Sequence, residues 1–355
     1  MELKIQKTDN LKPKYTDEDG LGFGQIFTDY MLLINYSPDD GWHDARIVKE
    51  GDYPMSLSSM VLHYGQATFE GLKAYKWEDN TIALFRPWEN FRRMNKSNIR
   101  LCIPQFDTDE FLEAMYELIR LEKDWIPSKE GTSLYIRPTI VATDPFLGVR
   151  VSNEYLFFII LSPVGAYYKG GLAPVKILVE NEYVRAAKGG LGEVKTPANY
   201  ASSLIGSIKA KERNCDQVLW LDARENKYIE EVGSMNIFFK IGGEIITPAL
   251  EGSILPGITR DSVLTLARSL GYPVCERKIS IDEIISAHNS GKLEEIFGSG
   301  TAAVISPVGM LLHNGKEYII NNGEMGEMSK MFYDTLVGIK YGKIQDKFNW
   351  IKKIN

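Results

Sequence analysis

Apolar and polar residues along the first half of the chain follow patterns that change between strand and helix. The segments GLKAYKW and TIALFRP flank the turn residues Glu78-Asp79-Asn80 and predict a hairpin. A helix is predicted over 87–102, because Pro87 suits a first helical position, and another over 108–125, which carries acids in its first turn. Residues 133–142 and 154–164 predict two strands, the second apolar enough to be buried on both faces.

The second half of the chain continues this mixture of elements. Strands are predicted over 176–180, 217–222, 234–241 and 244–248, and helices over 199–214, 259–270 and 280–288. The last helix begins with Ser280 and Glu283 at the spacing of a capping box. The segment GAYYKGGLAPV, with three glycines and a proline, is typical of a linker. The patterns therefore predict two mixed α/β domains, over 1–167 and 176–355, joined by a linker over 168–175.

Composition and charge narrow the class of protein. The 355 residues carry a net charge of −6 without a basic patch, which disfavours nucleic acid and anionic membranes as partners. The three cysteines and four histidines are scattered, which favours a reducing compartment and argues against disulfides or a structural metal. The polar N-terminus resembles no signal or transit peptide, and no apolar run reaches the roughly 20 residues of a membrane span. We therefore expect a cytoplasmic protein.

The segment KGGLGEVKTPANY, residues 188–200, has the glycines, lysine and threonine of a phosphate-binding loop. Such a loop requires glycine directly before its lysine, but Val194 precedes Lys195, and valine resists the positive φ that these loops use. A nucleotide site is therefore disfavoured. The ordinary alternative is a solvated loop lysine, because lysines are rarely buried.

Other segments offer what an aldehyde cofactor such as pyridoxal phosphate needs beside a lysine. Such a cofactor needs an acid near its ring nitrogen and a cradle of donors for its phosphate. Glu230 and Glu231 stand at the entry to an apolar strand. The segment LPGITR begins a helix whose first amides, at Ile258 and Thr259, have no partner within the helix, and FGSGTA offers the hydroxyl and amide of Thr301.

The segments EVKTPANY, EEVGSMNIFF, LPGITR and FGSGTA, in this order, resemble the branched-chain amino-acid aminotransferases, which are fold-type IV pyridoxal-phosphate enzymes. The upstream segments LHYGQATFEGLKAY, LFRPWENFRRMNKSNIRLCIP, SLYIRPTIVATDPFLGV and SPVGAYY resemble the same family, so the resemblance covers about residues 60 to 310. It implies an α/β mixed (α+β), two-domain fold like that of D-amino-acid aminotransferase, with the active site between the domains. It also implies a homodimer, pyridoxal 5'-phosphate as cofactor, and branched-chain amino acids, 2-oxo acids and glutamate as substrates.

The resemblance assigns roles to individual residues at the cofactor. Lys195 matches the Schiff-base lysine, which also moves a proton between substrate and cofactor. Glu231, rather than its neighbour Glu230, matches the partner of the ring nitrogen, and Tyr200 matches the donor to the ring oxygen. Arg93 matches the phosphate arginine, and the cradle is completed by Ile258, Thr259 and Thr301.

The resemblance also implies a substrate pocket. Its apolar wall would be formed by Tyr64, Phe69, Tyr135 and Tyr167, although aromatic residues are more often plain core. Donors near Ser234, Thr301 and Ala302 would receive the α-carboxylate, and Arg137 would help to admit the longer carboxylate of glutamate. Val149 matches a loop residue that crosses to the partner subunit.

The predicted activity is transfer of the amino group between leucine, isoleucine or valine and 2-oxoglutarate. Vertebrate relatives carry Cys-x-x-Cys directly after GSGTA as a redox switch, whereas this chain has Ala303-Val304-Ile305-Ser306, so we expect no such switch. A D-amino-acid transaminase or an aminodeoxychorismate lyase of the same fold is an alternative, although these relatives are typically shorter. A non-catalytic relative is another, and the intact set of Lys195, Tyr200, Glu231 and Arg93 argues against it.

Overall fold

The computed structural model describes residues 1–165 and 172–354, in which groups of strands are separated by one or two helices. The strands are β1 (Lys4–Ile5), β2 (Tyr30–Ser37), β3 (Gly41–Lys49), β4 (Ala67–Phe69), β5 (Leu72–Lys76), β6 (Ile82–Phe85), β7 (Ser133–Ala142), β8 (Tyr155–Val164), β9 (Val175–Val179), β10 (Gln217–Leu221), β11 (Ile229–Val232), β12 (Met235–Ile241), β13 (Glu244–Thr247), β14 (Val274–Glu276), β15 (Leu293–Gly300), β16 (Val304–His313), β17 (Lys316–Ile319) and β18 (Ile351–Ile354). The helices are α1 (Met60–Tyr64), α2 (Pro87–Arg100), α3 (Thr108–Leu121), α4 (Pro197–Ala201), α5 (Leu204–Glu212), α6 (Ile258–Ser269), α7 (Ile281–Asn289) and α8 (Glu327–Lys340). Within these ranges no helix combines the length and the apolar character that crossing a bilayer requires. The predicted mixed α/β class is confirmed.

The chain divides into two compact units. The first begins at Met1, includes every element up to β8, and also takes in Val194–Pro197 and the chain from Gly338 onward. The second unit consists of two segments. One segment ends at Glu193, and the other is Ala198–Val337. Lys195 thus groups with the first unit, whereas the predicted boundaries assign it to the C-terminal domain. The predicted linker over 168–175 lies partly outside the described residues, and the predicted domain boundaries stay a prediction.

The first unit contains a sheet with the strand order β1-β3-β2-β8-β7-β5-β6-β18, and β4 also pairs with β7. β7 and β8 pair antiparallel along ten residues, from Ser133 opposite Val164 to Ala142 opposite Tyr155. In β7, Leu134, Ile136 and Ile140 join the core that α2 and α3 complete. Successive side chains of a strand point to opposite faces, so Tyr135, Arg137 and Thr139 lie on the other face of the sheet.

The second unit contains a sheet with the order β11-β10-β9-β16-β15-β12-β13-β14, and β17 pairs with β16. β11 pairs with β12 as well as with β10, so six of these strands close into a ring. β11 and β12 are joined by a two-residue turn at Gly233 and Ser234, in which Gly233 has a φ of +57°. This conformation favours glycine because it has no Cβ.

Most predicted elements are confirmed within a few residues. The hairpin forms from β5 and β6, and β7 spans the predicted residues 133–142. The predicted helix over 108–125 is too long, because α3 ends at Leu121 and a 3-10 turn over Lys123–Trp125 follows. In α7 the Ser280 hydroxyl accepts the Glu283 N–H at 3.1 Å, which is half of the predicted capping box.

The predicted helix over 199–214 is wrong as a single helix. It is divided into α4 and α5, with Ser202 and Ser203 between them. The hydroxyls of these serines donate to the carbonyls of Asn199 at 3.0 Å and Tyr200 at 2.8 Å. Serine hydroxyls that bond to nearby backbone carbonyls compete with regular helical pairing. This local competition accounts for the interruption.

Candidate active site

Lys195 is held through its backbone against elements of the first unit. Its N–H donates to Ser97 Oγ of α2 at 3.0 Å, and its carbonyl accepts the N–H of Phe69 in β4 at 3.1 Å. The next residue, Thr196, is fully buried and donates through Oγ1 to the Ala67 carbonyl at 2.9 Å. The half-buried Lys195 side chain places Nζ 4.9 Å from the centre of the Phe69 ring. The backbone of Lys195 is therefore fixed in the first unit and its side chain is only partly exposed, which disfavours the interpretation as a solvated loop lysine.

Arg93 lies one helical turn before Ser97 on the buried side of α2. Its Nε and Nη2 donate to the two carboxylate oxygens of Glu70, each at 2.8 Å. Asn90, three residues earlier, donates to Glu70 as well, at 2.9 Å. Glu70 is fully buried and fixes the plane of the guanidinium through this bidentate pair. The arrangement presents a preoriented cation beside the segment that carries Lys195.

Three of the residues predicted to contact the substrate cluster around one another in the first unit. The Arg137 guanidinium lies 5.0 Å from the Phe69 ring and 5.2 Å from the Tyr135 ring, and its Nη2 donates to the Tyr135 hydroxyl at 2.9 Å. A Cβ on Gly71 would lie 2.1 Å from that hydroxyl, so the absence of a side chain at Gly71 leaves room for it. The cluster combines aromatic faces with a positive charge.

Tyr64 and Val149 lie in a more exposed part of the first unit. Tyr64 ends α1, and its hydroxyl donates to the Leu147 carbonyl, which lies in the loop that carries Val149. Val149 is 86% exposed. The predicted wall residue Tyr167 lies outside the described residues.

In the second unit, the strand register brings several predicted residues to one end of the sheet. Asn236 in β12 pairs with Ser299 in β15, so the turn at Ser234 lies beside the turn that contains Thr301 and Ala302. Glu231 lies opposite Asn236 across the β11–β12 pair. Four predicted residues, namely Glu231, Ser234, Thr301 and Ala302, therefore converge at this edge.

Glu231 is 3% exposed and is surrounded by donors. Arg185 approaches its Oε2 at 2.6 Å. Its Oε1 accepts the Asn236 side-chain amide and the Leu255 N–H, each at 3.3 Å. Hydrogen bonds and an adjacent cation both favour the charged form of a carboxylate.

Glu230, the neighbouring carboxylate, has a different environment. Its side chain accepts a hydrogen bond from the Ser253 hydroxyl. Burial raises the pKa of Glu230 above its usual range, against the lowering effects of the Ser253 hydrogen bond and of Arg185. A partner for a protonated ring nitrogen must itself be ionised, so these surroundings favour Glu231 over Glu230 for that role.

The predicted phosphate cradle begins at α6, which follows the loop from Ser253 to Gly257. Gly257 is the N-cap of this helix and, as a glycine, supplies no side-chain cap. A Cβ on Gly257 would lie 2.0 Å from Asn236 Oδ1, so the start of α6 lies against the residue that contacts Glu231. Ile258 and Thr259 open the helix at a point where backbone N–H groups favour an anion.

Tyr200 lies in the short helix α4 and is 37% exposed. The neighbouring Asn199 donates to the Leu191 carbonyl at 2.7 Å, which ties α4 to the glycine-rich loop before it.

Sequence reasoning missed four residues that position the predicted ones. They are Glu70, Ser97, Arg185 and Asn236, which contact Arg93, Lys195 and Glu231. A signal existed for Glu70, because a single carboxylate stands inside the otherwise apolar and small segment ATFEGL. No comparable local signal exists for Arg185, whose partner is distant along the chain.

The chain is similar to known proteins along most of its length. The family model for amino-transferase class IV matches residues 67–310. Branched-chain-amino-acid aminotransferase 2 of Bacillus subtilis (strain 168) is 56% identical over 352 residues, which are 99% of this chain and 97% of that protein. The branched-chain-amino-acid aminotransferase of Mycolicibacterium smegmatis is 47% identical over 339 residues, which are 94% of this chain and 92% of that protein.

Solved structures show the same fold. The branched-chain amino acid aminotransferase of Escherichia coli superposes with a TM-score of 0.77 at 28% identity, over 92% of this chain and 99% of that one. The T.th. enzyme of the same name, solved with pyridoxamine 5'-phosphate, superposes with a TM-score of 0.76 at 27% identity, over 91% and 98% of the two chains. The chain therefore belongs to the class IV aminotransferases and, among them, to the branched-chain-amino-acid aminotransferases.

Proposed function

We propose that this aminotransferase uses pyridoxal 5'-phosphate, held on Lys195, to exchange the amino group between leucine, isoleucine or valine and 2-oxoglutarate. Amino acids and oxo acids are the substrates of the family to which the chain belongs. Solved structures of the T.th. relative contain pyridoxamine 5'-phosphate, N-(5'-phosphopyridoxyl)-L-glutamate or 4-methylvaleric acid. These ligands combine a pyridoxal-type ring, a dicarboxylic amino acid and a branched aliphatic acid, as the proposed reaction requires.

The observation that carries the proposal is the ion-paired Glu231 at a sheet edge shared with Thr301 and the start of α6. When bound, the cofactor supplies an aldehyde and a protonated ring that accepts electron density from the substrate Cα. Glu231 would hold the proton on the ring nitrogen. The first amides of α6, at Ile258 and Thr259, would bind the phosphate, and a helix start whose N-cap is a glycine fits an anion.

Lys195 would bond to the cofactor and then act as the base at the substrate Cα. Its backbone is fixed on both sides, by Ser97 and by Phe69, so the amine moves only through its own side-chain torsions. Nζ would take the proton from the substrate Cα and deliver it to the cofactor. This transfer needs a flexible side chain on a fixed backbone. Arg93, oriented by Glu70, would bind a phosphate oxygen.

The cluster of Phe69, Tyr135 and Arg137 would serve the two substrates differently. Aromatic faces would contact the branched aliphatic side chain. The Arg137 guanidinium would pair with the distal carboxylate of glutamate, for which it is preoriented by the Tyr135 hydroxyl. One pocket would thereby accept both an apolar chain and an anion.

An absorption spectrum of the protein loaded with pyridoxal 5'-phosphate tests the proposal directly. We expect the yellow band of the bound cofactor to disappear when L-leucine is added and to return with 2-oxoglutarate. The Lys195→Ala variant should lose this response, whereas Lys188→Ala, which removes an exposed lysine of the same loop, should keep it. A response to D-alanine but not to L-leucine would contradict the proposed substrate class.

We also propose that two copies of the chain associate through the exposed apolar residues near Val149. Leu57 is 85% exposed and Leu147 is 62% exposed, and their carbonyls contact the adjacent residues His63 and Tyr64 of α1, so the two leucines lie in neighbouring segments. Exposed apolar side chains that are close together are typical of a surface that another protein covers. Two copies of one chain would cover such a patch symmetrically.

Sedimentation of the wild type and of a Val149→Glu variant tests this association. We expect the wild type to sediment as a dimer and the variant to dissociate at lower concentration. Ile319→Glu, which places the same charge on an exposed residue of β17, is the control and should not change the mass. A wild type that sediments as a monomer would refute the dimer.

A further inference from the structure

Arg185 is the cation of the Glu231 network, and it makes two separate contacts within the second unit. Its Nη2 lies 2.6 Å from Glu231 Oε2 and donates to the Ser253 carbonyl at 2.7 Å. Its side chain is 7% exposed and that of Glu231 is 4% exposed, so the ion pair is shielded from water. A buried pair of this kind exerts a strong electrostatic effect because little solvent screens it.

The charge on Glu231 depends on this partner. Burial alone favours the protonated form of a carboxyl group, and a cation within hydrogen-bonding distance reverses that preference. The neighbouring Glu230 accepts its hydrogen bond from the neutral Ser253 hydroxyl rather than from a cation, and burial raises its pKa. Two further donors to Glu231, from Asn236 and Leu255, lie at 3.3 Å and are neutral. Because Arg185 is closer and carries a full charge, it stabilises a negative charge at Glu231 more than these two donors do.

We infer that Arg185 is a positioning residue that keeps Glu231 ionised and oriented toward the ring nitrogen of the cofactor. This inference rests on the proposed function, because it requires Glu231 to be the partner of that nitrogen. Arg185 itself touches neither substrate nor cofactor in this account. Its effect passes through the carboxylate of Glu231, and through the Ser253 carbonyl it also fixes the loop that leads to α6.

The inference predicts a change in how the protein discriminates between two cofactors. The probe is 1-deazapyridoxal 5'-phosphate, which keeps the aldehyde, hydroxyl and phosphate but has C–H in place of the ring nitrogen. An ionised Glu231 favours a protonated nitrogen and gains nothing from C–H. The ratio of the two dissociation constants therefore reports the state of Glu231, and contributions from Lys195 and from the phosphate cradle cancel.

Both dissociation constants should be measured by equilibrium dialysis for the wild type, Arg185→Met, Arg185→Lys and Glu231→Gln. We expect Arg185→Met to lower the preference for pyridoxal phosphate by about tenfold or more, since one pKa unit at Glu231 corresponds to a factor of ten. Arg185→Lys keeps the charge and should retain most of the preference. The kcat for L-leucine should fall with the preference, and the KM should change little.

A matched control separates this effect from a loss of structure. Arg260 is also buried, pairs with Glu276 at 2.9 Å and donates to the Pro248 carbonyl at 2.9 Å, so it reproduces the two contacts of Arg185. Arg260→Lys should lower the melting temperature as Arg185→Lys does, with no change in the ratio of dissociation constants. If Arg185→Met lowers the melting temperature and leaves the ratio unchanged, Arg185 is only structural and the inference is overturned.

The Glu231→Gln variant distinguishes failure of this inference from failure of the proposed function. If Glu231 faces the ring nitrogen, Glu231→Gln lowers the cofactor preference, and adding Arg185→Met to it lowers the preference little further. If Glu231→Gln leaves the preference unchanged, the proposed role of Glu231 fails first, and the role of Arg185 fails with it. If Glu231→Gln lowers the preference while Arg185→Met does not, only the inference about Arg185 fails.

Discussion

Lys340, at the end of α8, is a buried cation whose removal should stabilise the protein. It is 3% exposed and lies over the Phe85 ring, with Nζ 4.9 Å from the ring centre. Burial and, to a smaller extent, the positive charge of Lys73 together lower the pKa of its ammonium group from 10.5 to about 7. A lysine whose pKa is lower in the folded state binds its proton less tightly there than in the unfolded chain. The folded protein therefore becomes more stable as pH rises from 7 toward 10.5.

The magnitude follows from the two pKa values. The protonation of Lys340 costs the folded state about 4 kcal/mol at pH 7, about 2 kcal/mol at pH 9 and less than about 0.5 kcal/mol at pH 10.5. Methionine keeps the unbranched apolar stem, so Lys340→Met should recover a large part of this cost. Because the contact with Phe85 favours the cation and is lost, we expect a gain of about 2 to 4 kcal/mol at pH 7. For a chain of 355 residues this corresponds to a rise of about 3 to 5 °C in Tm.

Thermal melts of wild type and Lys340→Met between pH 6 and pH 9 measure this gain. The difference in Tm should fall by about half from pH 7 to pH 9. Lys353→Met removes an exposed lysine of the same C-terminal segment, and we expect it to change Tm little at any of these pH values. A Lys340→Met variant that melts below the wild type at pH 7 would refute the reasoning, because it would mean that the folded protein stabilises this charge.

Three further substitutions test the packing around the candidate site. Gly257→Ala would place a Cβ 2.0 Å from Asn236 Oδ1, so we expect it to displace Asn236 and weaken pyridoxal-phosphate binding about tenfold, as measured by dialysis. Gly71→Ala would place a Cβ 2.1 Å from the Tyr135 hydroxyl, and we expect the KM for L-leucine to rise about tenfold while the thermal melt changes little. Ser280→Ala removes the cap of α7 and should cost about 1 kcal/mol, which corresponds to about 1 °C in Tm, with an unchanged kcat.

Local patterns predicted the elements well and their ends less well. The apolar alternation of β7 and the turn residues before β6 are encoded within a few residues, so both were predictable. The interruption between α4 and α5 depends on which carbonyl each serine hydroxyl finds, and composition does not reveal this. β2 and β3, which lie between β1 and β8 in the first sheet, were not predicted.

Some residues of the candidate site were likewise predictable from the sequence, and others were not. Lys195 and Glu231 stand in distinctive segments and were predicted from sequence. Glu70 and Arg185 were missed, because each acts through a partner that lies more than twenty residues away in the chain. A buried ion pair becomes visible only when folding brings its two members together. The residues proposed to carry out the chemistry were therefore easier to predict than the residues that contact and position them.

The loop from Ser253 to Gly257 connects the two ends at which the second unit would bind the cofactor. Its Ser253 carbonyl accepts from Arg185, and the Leu255 N–H donates to Glu231. The Asn236 amide donates to the Leu255 carbonyl at 2.9 Å and to Glu231 at 3.3 Å, and Gly257 lies against the same side chain at the start of α6. A pyridine ring with a short phosphate arm has little freedom of length, so the acid and the helix start must stand at a fixed separation. Contacts between buried side chains and the loop backbone fix that separation more firmly than contacts between two flexible side chains would, because fewer torsions have to be ordered on binding.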